Sequence, residues 1–457
     1  MPEPKPGDIV EVLTDKRISC ESIDSQDKRL PKANDVPKLQ GNFEDTVLRT
    51  AKRVFRGILM ERPELADDRH IVLKLESGYN VGIKKDAIKG INVIGRPKTE
   101  KFEIARQNSE KNLPKVSILA TGGTIASRVD YITGGVKSAF SADELISAVP
   151  ELGAIADVSG RQIFNKFSEN INPDDWVAIA NAVHEEIKKG AGGIVVTHGT
   201  DTMGYTAAAL SFMLKTPVPV VLTGAQRSSD RGSSDAALNL ISAVNVAANA
   251  DLAEVCVVMH AEASDSYCMI HRGTRVRKMH TSGRSAFRSV NCLPIGKIEG
   301  GKIEYFTKTK PRGGELVLDA KMQHKVALIK YYPGMAPETI INLVDTGCRG
   351  LVIEGTGLGH VSEDLFGAVK YAAGKIPIAM ASQTIHGAVN MNVYSTGREL
   401  LKMGVMPLGD MLAETAYVKM MWVLGHTADA KKAMEMMLTN YAWELGERSI
   451  INEDEII

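Results

Sequence analysis

Cysteine is scarce in this chain, with five in 457 residues (Cys20, Cys256, Cys268, Cys292 and Cys348). They are odd in number, scattered and never in CxxC spacing, which excludes a disulfide framework and suits reducing surroundings. Cys268 and His271 have the spacing of a metal half-site. No second pair accompanies them, so no metal is expected. Net charge is also missing: Lys+Arg and Asp+Glu both number 55, for a formal +0. Bulk charge therefore draws the chain to neither nucleic acid nor a membrane. No apolar run is long enough to cross a bilayer, and MPEPKPGDIV lacks the basic-then-apolar pattern of a signal peptide. A cytoplasmic protein is expected. There is no internal repeat of solenoid period and no low-complexity tract.

What remains is an ordinary globular composition, 44% hydrophobic and 24% charged, in a chain too long for one core. Five segments are expected: a small β-barrel over 1–95, a linker over 96–114, an α/β domain over 115–315, a smaller α/β domain over 316–435 and a tail over 436–457. In the first, GDIVEVLTD, VFRGILME and HIVLKLESGYNVGI read as short strands. Ile71, Leu73 and Leu75 alternate with Val72, Lys74 and Glu76, and Ser77-Gly78 supplies a turn. So many short strands in so few residues suggest an SH3-like all-β barrel. The stretch RPKTEKFEIARQNSEKNLPK is polar and reads as the linker.

From residue 115 the pattern changes. KVSILAT, GGIVVTHGT, VPVVLTGAQ and EVCVVMH are continuous apolar runs, as parallel strands covered on both faces require. Between them lie helical segments. SADELISAVPEL opens with Ser141 three residues before Glu144, a capping box, and PDDWVAIANAVHEEIKKG ends on Gly190. This is the pattern of a doubly wound α/β domain, whose ligands sit beyond the carboxyl ends of the strands. KVALIKYYPG, CRGLVIEGTG and IPIAMASQT open the second α/β unit. Met420, Met421, Met434, Met436 and Met437 in its closing helices read as core.

Three stretches carry candidate chemistry. Thr121-Gly122-Gly123-Thr124 follows the first strand of the α/β region; its glycines permit positive φ or close approach of a ligand, and plain turn chemistry is the alternative. Thr197-His198-Gly199-Thr200-Asp201-Thr202 follows the run GGIVV, so Thr200 and Asp201 fall at the same sheet edge as Thr124. They could form an active-site floor or merely cap a helix. Residues 273–281 read as a basic, flexible loop. Within it Lys278 is of interest if it meets Asp201, because its amine could then take a threonine proton. His198 and His386 read as hydrogen-bonded structural histidines rather than general bases.

Together these stretches resemble the L-asparaginase/glutaminase amidohydrolases over roughly residues 115–430. The resemblance rests on ATGGTIAS, THGTDTM, VVLTGAQR, the Lys278 segment ending in Phe287-Arg288-Ser289, GLVIEGTGLGH and GDMLAETAYVKMMWVLG. It implies two asparaginase-like doubly wound α/β domains behind the barrel. It makes Thr124 the expected primary nucleophile and Thr200, Asp201 and Lys278 its catalytic partners. Tyr131 would close over the substrate, Ser168 would bind the α-carboxylate, and Asp201 the α-amino group. Glu169 departs from the pattern, standing where several family members carry glutamine.

The N-terminal segment, with SENINPDDW and GAQRSSDRGSSDAALNL, resembles the D-subunit family of archaeal glutamyl-tRNA(Gln) amidotransferases. That resemblance implies hydrolysis of L-glutamine and delivery of ammonia to a partner, the amidotransferase's E-subunit, which converts Glu-tRNA(Gln) to Gln-tRNA(Gln). Two copies of each chain around a homodimeric core are then expected. No cofactor is expected in this chain; ATP and Mg are expected in the partner, and tRNA contact mainly through it. For the basic segment near Lys278 an active-site role is expected rather than RNA contact. An independent L-asparaginase is the alternative.

Overall fold

The computed structural model describes residues 4–5, 8–14, 53–60, 69–75, 80–95, 113–123, 125, 127–129, 136–138, 142–229 and 233–446. They divide into an all-β unit and a larger α/β unit.

The all-β unit is one antiparallel sheet of β1 (Ile9–Thr14), β2 (Arg53–Met60), β3 (His70–Leu75), β4 (Asn80–Lys84) and β5 (Ile88–Gly95), in the order β4-β3-β2-β1-β5. Alternation on β1 sends Val10 and Val12 inward, where they meet Leu73 and Ile83; all four are fully buried. β3 and β4 pair from His70↔Lys84 to Lys74↔Asn80. The Ser77-Gly78 turn expected between them lies outside the described residues. β5 was not legible in the sequence, because Lys89, Gly90 and Gly95 interrupt its alternation.

After β5 the chain forms β6 (Lys115–Gly122), with which the larger unit's strands begin, a separate short ribbon of β7 (Ser127–Val129) and β8 (Val136–Ser138), then α1 (Ala142–Ala148) and β9 (Asp157–Lys166). Next come α2 (Pro173–Lys188), β10 (Gly193–Thr197), α3 (Met203–Met213), β11 (Leu214–Lys215), β12 (Val220–Thr223), α4 (Ala236–Asn249) and β13 (Val255–His260). The chain continues with β14 (Tyr267–Arg272), β15 (Val276–Lys278), β16 (Phe287–Ser289), β17 (Gly296–Glu299), β18 (Lys302–Tyr305) and β19 (Val317–Leu318). Eight strands form the main sheet, ordered β18-β17-β14-β13-β12-β10-β6-β9. The five from β13 to β9 run parallel, and β14, β17 and β18 add antiparallel hairpins.

Strict alternation along the parallel strands serves two cores. Leu119, Val196, Leu222 and Val257 face Ile179 and Val183 of α2 and Ala207 and Leu210 of α3. Ile118, Val195, Val221 and Val258 face Leu240, Val244 and Ala247 of α4. Full burial of one such side chain is worth about 1.5–3 kcal/mol, so two-sided coverage explains the unbroken apolar runs. α2 begins at a capping box: Asn172 Oδ1 accepts from the Asp174 and Asp175 amides (2.9 and 3.2 Å), and Asp175 Oδ2 accepts from the Asn172 amide (3.0 Å). It ends before Gly190, at φ +98°. α1 runs as expected, but Ser141, its expected cap, lies outside the described residues.

A second, four-stranded parallel sheet contains β20 (Val326–Lys330), β21 (Gly350–Gly355), β22 (Ile378–Ser382) and β23 (Met406–Pro407). It carries α5 (Glu338–Asp345), α6 (Phe366–Ala373), α7 (Ser395–Lys402), α8 (Ala413–His426) and α9 (Ala430–Leu438). α8 packs on α3, where Trp422 stacks on Phe212 at 6.0 Å. Met420, Met421 and Met437 are buried in this core and Met434 and Met436 pack against it.

Candidate active site

β6, β10 and β12 are neighbours and parallel, with Ala120, Thr197 and Thr223 in register. Their carboxyl ends therefore release three segments at one edge: Gly122-Gly123, His198 to Asp201, and Gly224 to Ser228. Some hydroxyls there are structural. Thr121 Oγ1 donates to the Thr197 carbonyl (2.8 Å) and Thr223 Oγ1 to that of Val258 (2.9 Å), each lacing one strand tip to its neighbour.

The glycine pair is required by both conformation and space. Gly122 and Gly123 have φ of +110° and +82°, the region an L side chain enters at a cost. A Cβ on Gly123 would lie 2.4 Å from Gly199 N, and one on Gly199 would lie 2.7 Å from Ser168 Cβ. Three loops thus stack backbone on backbone, and Ser168 reaches the strand tips because nothing larger than glycine intervenes. The glycines therefore serve both the positive-φ turn and the close packing of backbone on backbone.

Thr200 is buried, and Lys278 Nζ donates to its Oγ1 at 2.9 Å and to Asp201 Oδ1 at 2.8 Å. Asp201 is 66% exposed on its side chain, so the ion pair adds well under about 1 kcal/mol to stability. Its consequence is geometric: the amine is fixed against one hydroxyl. The helix-capping alternative does not apply. α3 begins at Met203 with no side-chain cap, and Thr202 Oγ1 donates instead to the Ser168 carbonyl (2.7 Å).

The structure therefore brings Ser168, Thr200, Asp201 and Lys278 together. Glu169 follows Ser168 on a short 3-10 turn and is exposed. Thr124 and Tyr131 lie outside the described residues. One expectation is corrected: residues 273–281 are not a flexible loop. Lys278 ends β15, which pairs with β16 through Val276↔Ser289 and Lys278↔Phe287. Val276 and Phe287 are buried, and Arg275 is fully engaged in the interior. The basic residues concealed this, because Arg275 and Arg272 are charges spent on buried partners, Asp410 and Glu254.

His198 is structural, as expected. Burial pushes its imidazole down to about 4. Nδ1 must donate to the Gly199 carbonyl (2.6 Å), which leaves Nε2 to accept from Thr206 Oγ1 (2.8 Å). It has no free position for a substrate proton. His386 is exposed rather than structural.

Sequence reasoning missed a buried polar scaffold behind the third strand tip. The Asp235 carboxylate accepts from the amides of Gln226 (3.0 Å) and Arg227 (3.0 Å), and from Asn239 Nδ2 (3.0 Å). Asn239 also bonds the Gly224 carbonyl and the His260 amide, fixing 224–227 against Thr200. In sequence the segment stands out only by its resemblance; an acid and an amide four residues apart were the available signal. Beside Lys278 opens a cavity of about 380 Å³ lined by Asp201, Tyr205, Arg277, His280 and Glu414. Burial, and then the Glu414 carboxylate, push the Tyr205 phenol up to about 12.

Two glycine-bearing strand tips, a buried threonine under a lysine and a second, smaller α/β sheet define the asparaginase class of amidohydrolase. Residues 115–311 match the model "Asparaginase, N-terminal" and 325–437 the model "Glutaminase/Asparaginase C-terminal domain". Among solved structures, the L-asparaginase of Thermococcus kodakarensis aligns with a TM-score of 0.66 at 35% identity, covering 73% of this chain and 99% of that one. The probable cytoplasmic L-asparaginase of Campylobacter jejuni gives 0.62 at 29%, covering 72% and 100%. Residues 45–94 match the model "GatD N-terminal domain". The glutamyl-tRNA(Gln) amidotransferase D-subunit of Pyrococcus furiosus is 54% identical over 398 residues, 86% of this chain and 91% of its own. That of Methanothermobacter thermautotrophicus is 52% identical over 402 residues, 87% and 92%. The chain belongs to the D-subunit family of glutamyl-tRNA(Gln) amidotransferases and is an amidohydrolase. Among the described residues, no helix is long and apolar enough to cross a membrane.

Proposed function

We propose that the chain hydrolyses L-glutamine and supplies the ammonia to a partner, the amidotransferase's E-subunit, which converts Glu-tRNA(Gln) to Gln-tRNA(Gln) with ATP and Mg. The observation that carries the chemistry is the position of Lys278 Nζ, 2.9 Å from Thr200 Oγ1 and 2.8 Å from Asp201 Oδ1. The names of the relatives support the destination of the nitrogen.

A threonine hydroxyl is a weak nucleophile until a base takes its proton. In this reading Thr124 attacks the carboxamide carbon, and its proton passes through the Thr200–Lys278 pair. The carbonyl oxygen becomes an oxyanion, which needs hydrogen-bond donors aimed at it; one such donor is typically worth about 3–4 kcal/mol. The C–N bond then breaks and ammonia leaves with the proton that Lys278 returns. Water attacks the acyl-threonine, giving glutamate and the free hydroxyl. Ser168 and Asp201 hold the α-carboxylate and α-ammonium, and Tyr131 closes the site. Two copies of each chain assemble around a homodimeric core, and tRNA is held mainly by the partner.

The solved L-asparaginases, matched over 99% and 100% of their own length, favour a second reading as an independent asparaginase. One experiment separates the two. The purified chain is assayed for ammonia release from L-glutamine and from L-asparagine, alone and with the partner protein, Glu-tRNA(Gln) and ATP. Glutamine turnover stimulated by the partner and charged tRNA is the expected result. Free asparagine turnover without stimulation would install the second reading instead.

A further inference from the structure

We propose that the turn at 441–446, together with Asp410, is a clasp that positions Lys278; the inference rests on the amide-hydrolysis reading above. Besides its backbone pairing with β16, the chain that leads into Lys278 is held by side-chain bonds to the C-terminal part of the fold. Thr274 Oγ1 donates to the Ala442 carbonyl (2.8 Å), and the Thr274 carbonyl accepts from Thr415 Oγ1 (2.8 Å). Arg275 Nε donates to the Trp443 carbonyl (2.8 Å), while Nη1 and Nη2 bond the Asp410 carboxylate at 2.9 and 3.2 Å. Arg277 Nη1 lies 3.2 Å from Glu414 Oε1. Each of these partners belongs to residues 410–443, none to the segment that carries Thr200. The two halves of the Lys278–Thr200 contact thus arrive on different parts of the fold, and one half is set by the C-terminal residues.

The turn is itself built around a single carboxylate. Glu444, fully buried, accepts from the amides of Tyr441 (3.0 Å) and Ala442 (2.6 Å) and from Lys419 Nζ (2.6 Å). The Gly446 amide closes it onto Asp410 Oδ1 at 2.9 Å. So wrapped, Trp443 is held at φ +64°, where L residues are rarely found. That conformation aims its carbonyl at Arg275. A buried ion pair is a poor source of stability, since well-packed apolar groups commonly do as well. A strained residue and two buried ion pairs, Lys419–Glu444 within the turn and Arg275–Asp410 beside it, instead mark a place where geometry is over-determined. The geometry in question is the reach of Lys278 to Thr200.

Two variants of the full-length protein test the clasp. Thr274→Val removes one bond to the turn at constant volume. Glu444→Gln keeps the shape but removes the charge facing Lys419 and turns an amide donor toward a backbone N–H. Because misplacement by about 1 Å can cost on the order of 100-fold, kcat for glutamine should fall at least tenfold in Glu444→Gln and about threefold in Thr274→Val, with KM within twofold. The second readout needs no turnover: the rate at which an amine-reactive acetylating ester labels Lys278, followed by mass spectrometry of its peptide. Released from Thr200 and Asp201, Lys278 should label several-fold faster in both variants. Wild-type kcat and labelling in the folded variants overturn the proposal. So does a loss of kcat and KM together that follows the melting temperature while labelling stays constant. Should Glu444→Gln fail to fold, Thr274→Val decides alone. A wild-type protein inert toward glutamine sinks the functional reading, and the labelling comparison still decides the clasp.

Discussion

Replacing Gly123 by alanine should disable the site without touching any group that reacts. The residue sits at φ +82°, where an L side chain costs about 1–2 kcal/mol. Its new methyl would lie 2.4 Å from Gly199 N, 2.6 Å from Gly199 Cα and 2.9 Å from the His198 carbonyl carbon. All three are backbone atoms, so no side chain can swing aside, and overpacking of this kind adds about 1–3 kcal/mol. Together the substitution should destabilise the native arrangement by about 2–5 kcal/mol. The strain is relieved only by parting residues 121–123 from the loop before Thr200. A shift of about 1 Å there is enough for a loss on the order of 100-fold in kcat. Ammonia release from L-glutamine and thermal unfolding measure the two effects. Gly190→Ala is the control, because Gly190 has φ +98° but nothing within 4 Å of its would-be Cβ. It should lose stability by the backbone penalty alone and keep wild-type kcat. Gly123→Ala with wild-type turnover, or the two variants behaving alike, would refute the packing argument.

Three further outcomes follow from buried polar groups. Burial holds His198 and His260 down to about 4 and His271 to about 3, while the unfolded imidazole titrates near 6.5. The unfolded chain therefore binds protons first; the stability that the neutral rings contribute is complete above pH 6.5 and drains away between 6.5 and 4, at about 1.4 kcal/mol per unit per histidine. Denaturant titrations at pH 7, 5.5 and 4.5 should show that decline, and stability that is flat or rising toward pH 4.5 contradicts it; Glu354, pushed up by burial, opposes the trend with a single group. Asp410→Asn leaves the Arg275 guanidinium, 2% exposed, without a counter-charge and should cost about 3–5 kcal/mol in chemical denaturation; a loss below about 1 kcal/mol would show the pair to be expendable. Asn172→Ala removes the acceptor for two amides at the start of α2 and should cost about 1 kcal/mol by the same measurement, with kcat unchanged.

How much of this was legible depends on where each residue sits. Val195 and Leu222 announce their strands because parallel strands buried on both faces must be apolar throughout. β9 hides, since an edge strand reading DVSGRQIFNK is half exposed and carries no such pattern. β17 and β18 hide for a related reason, as a short antiparallel hairpin with exposed residues, and β14 hides because its buried residues include His271 and Arg272. At the site, Thr200 and Asp201 were marked by position at a strand end, Lys278 by its basic segment and all three by the family resemblance, and the structure places them in contact. The order of the 273–281 segment was not visible. Composition reads Arg275 as solvated, and only tertiary structure supplies Asp410, 135 residues away in sequence, as its buried partner. The Asp235–Asn239 scaffold escaped for the same reason, since its partners come from the ends of two different strands, β12 and β13.

The proposed amide hydrolysis requires Lys278 and Thr200 to act as one unit. Ammonia release from L-glutamine should be compared for wild type, Thr200→Val, Lys278→Met and the double variant. Residues that share one proton path are non-additive, so each single change should cost at least about 1,000-fold and the double variant little more than either alone. Losses that multiply in the double variant, or a Lys278→Met enzyme within tenfold of wild type, would contradict it.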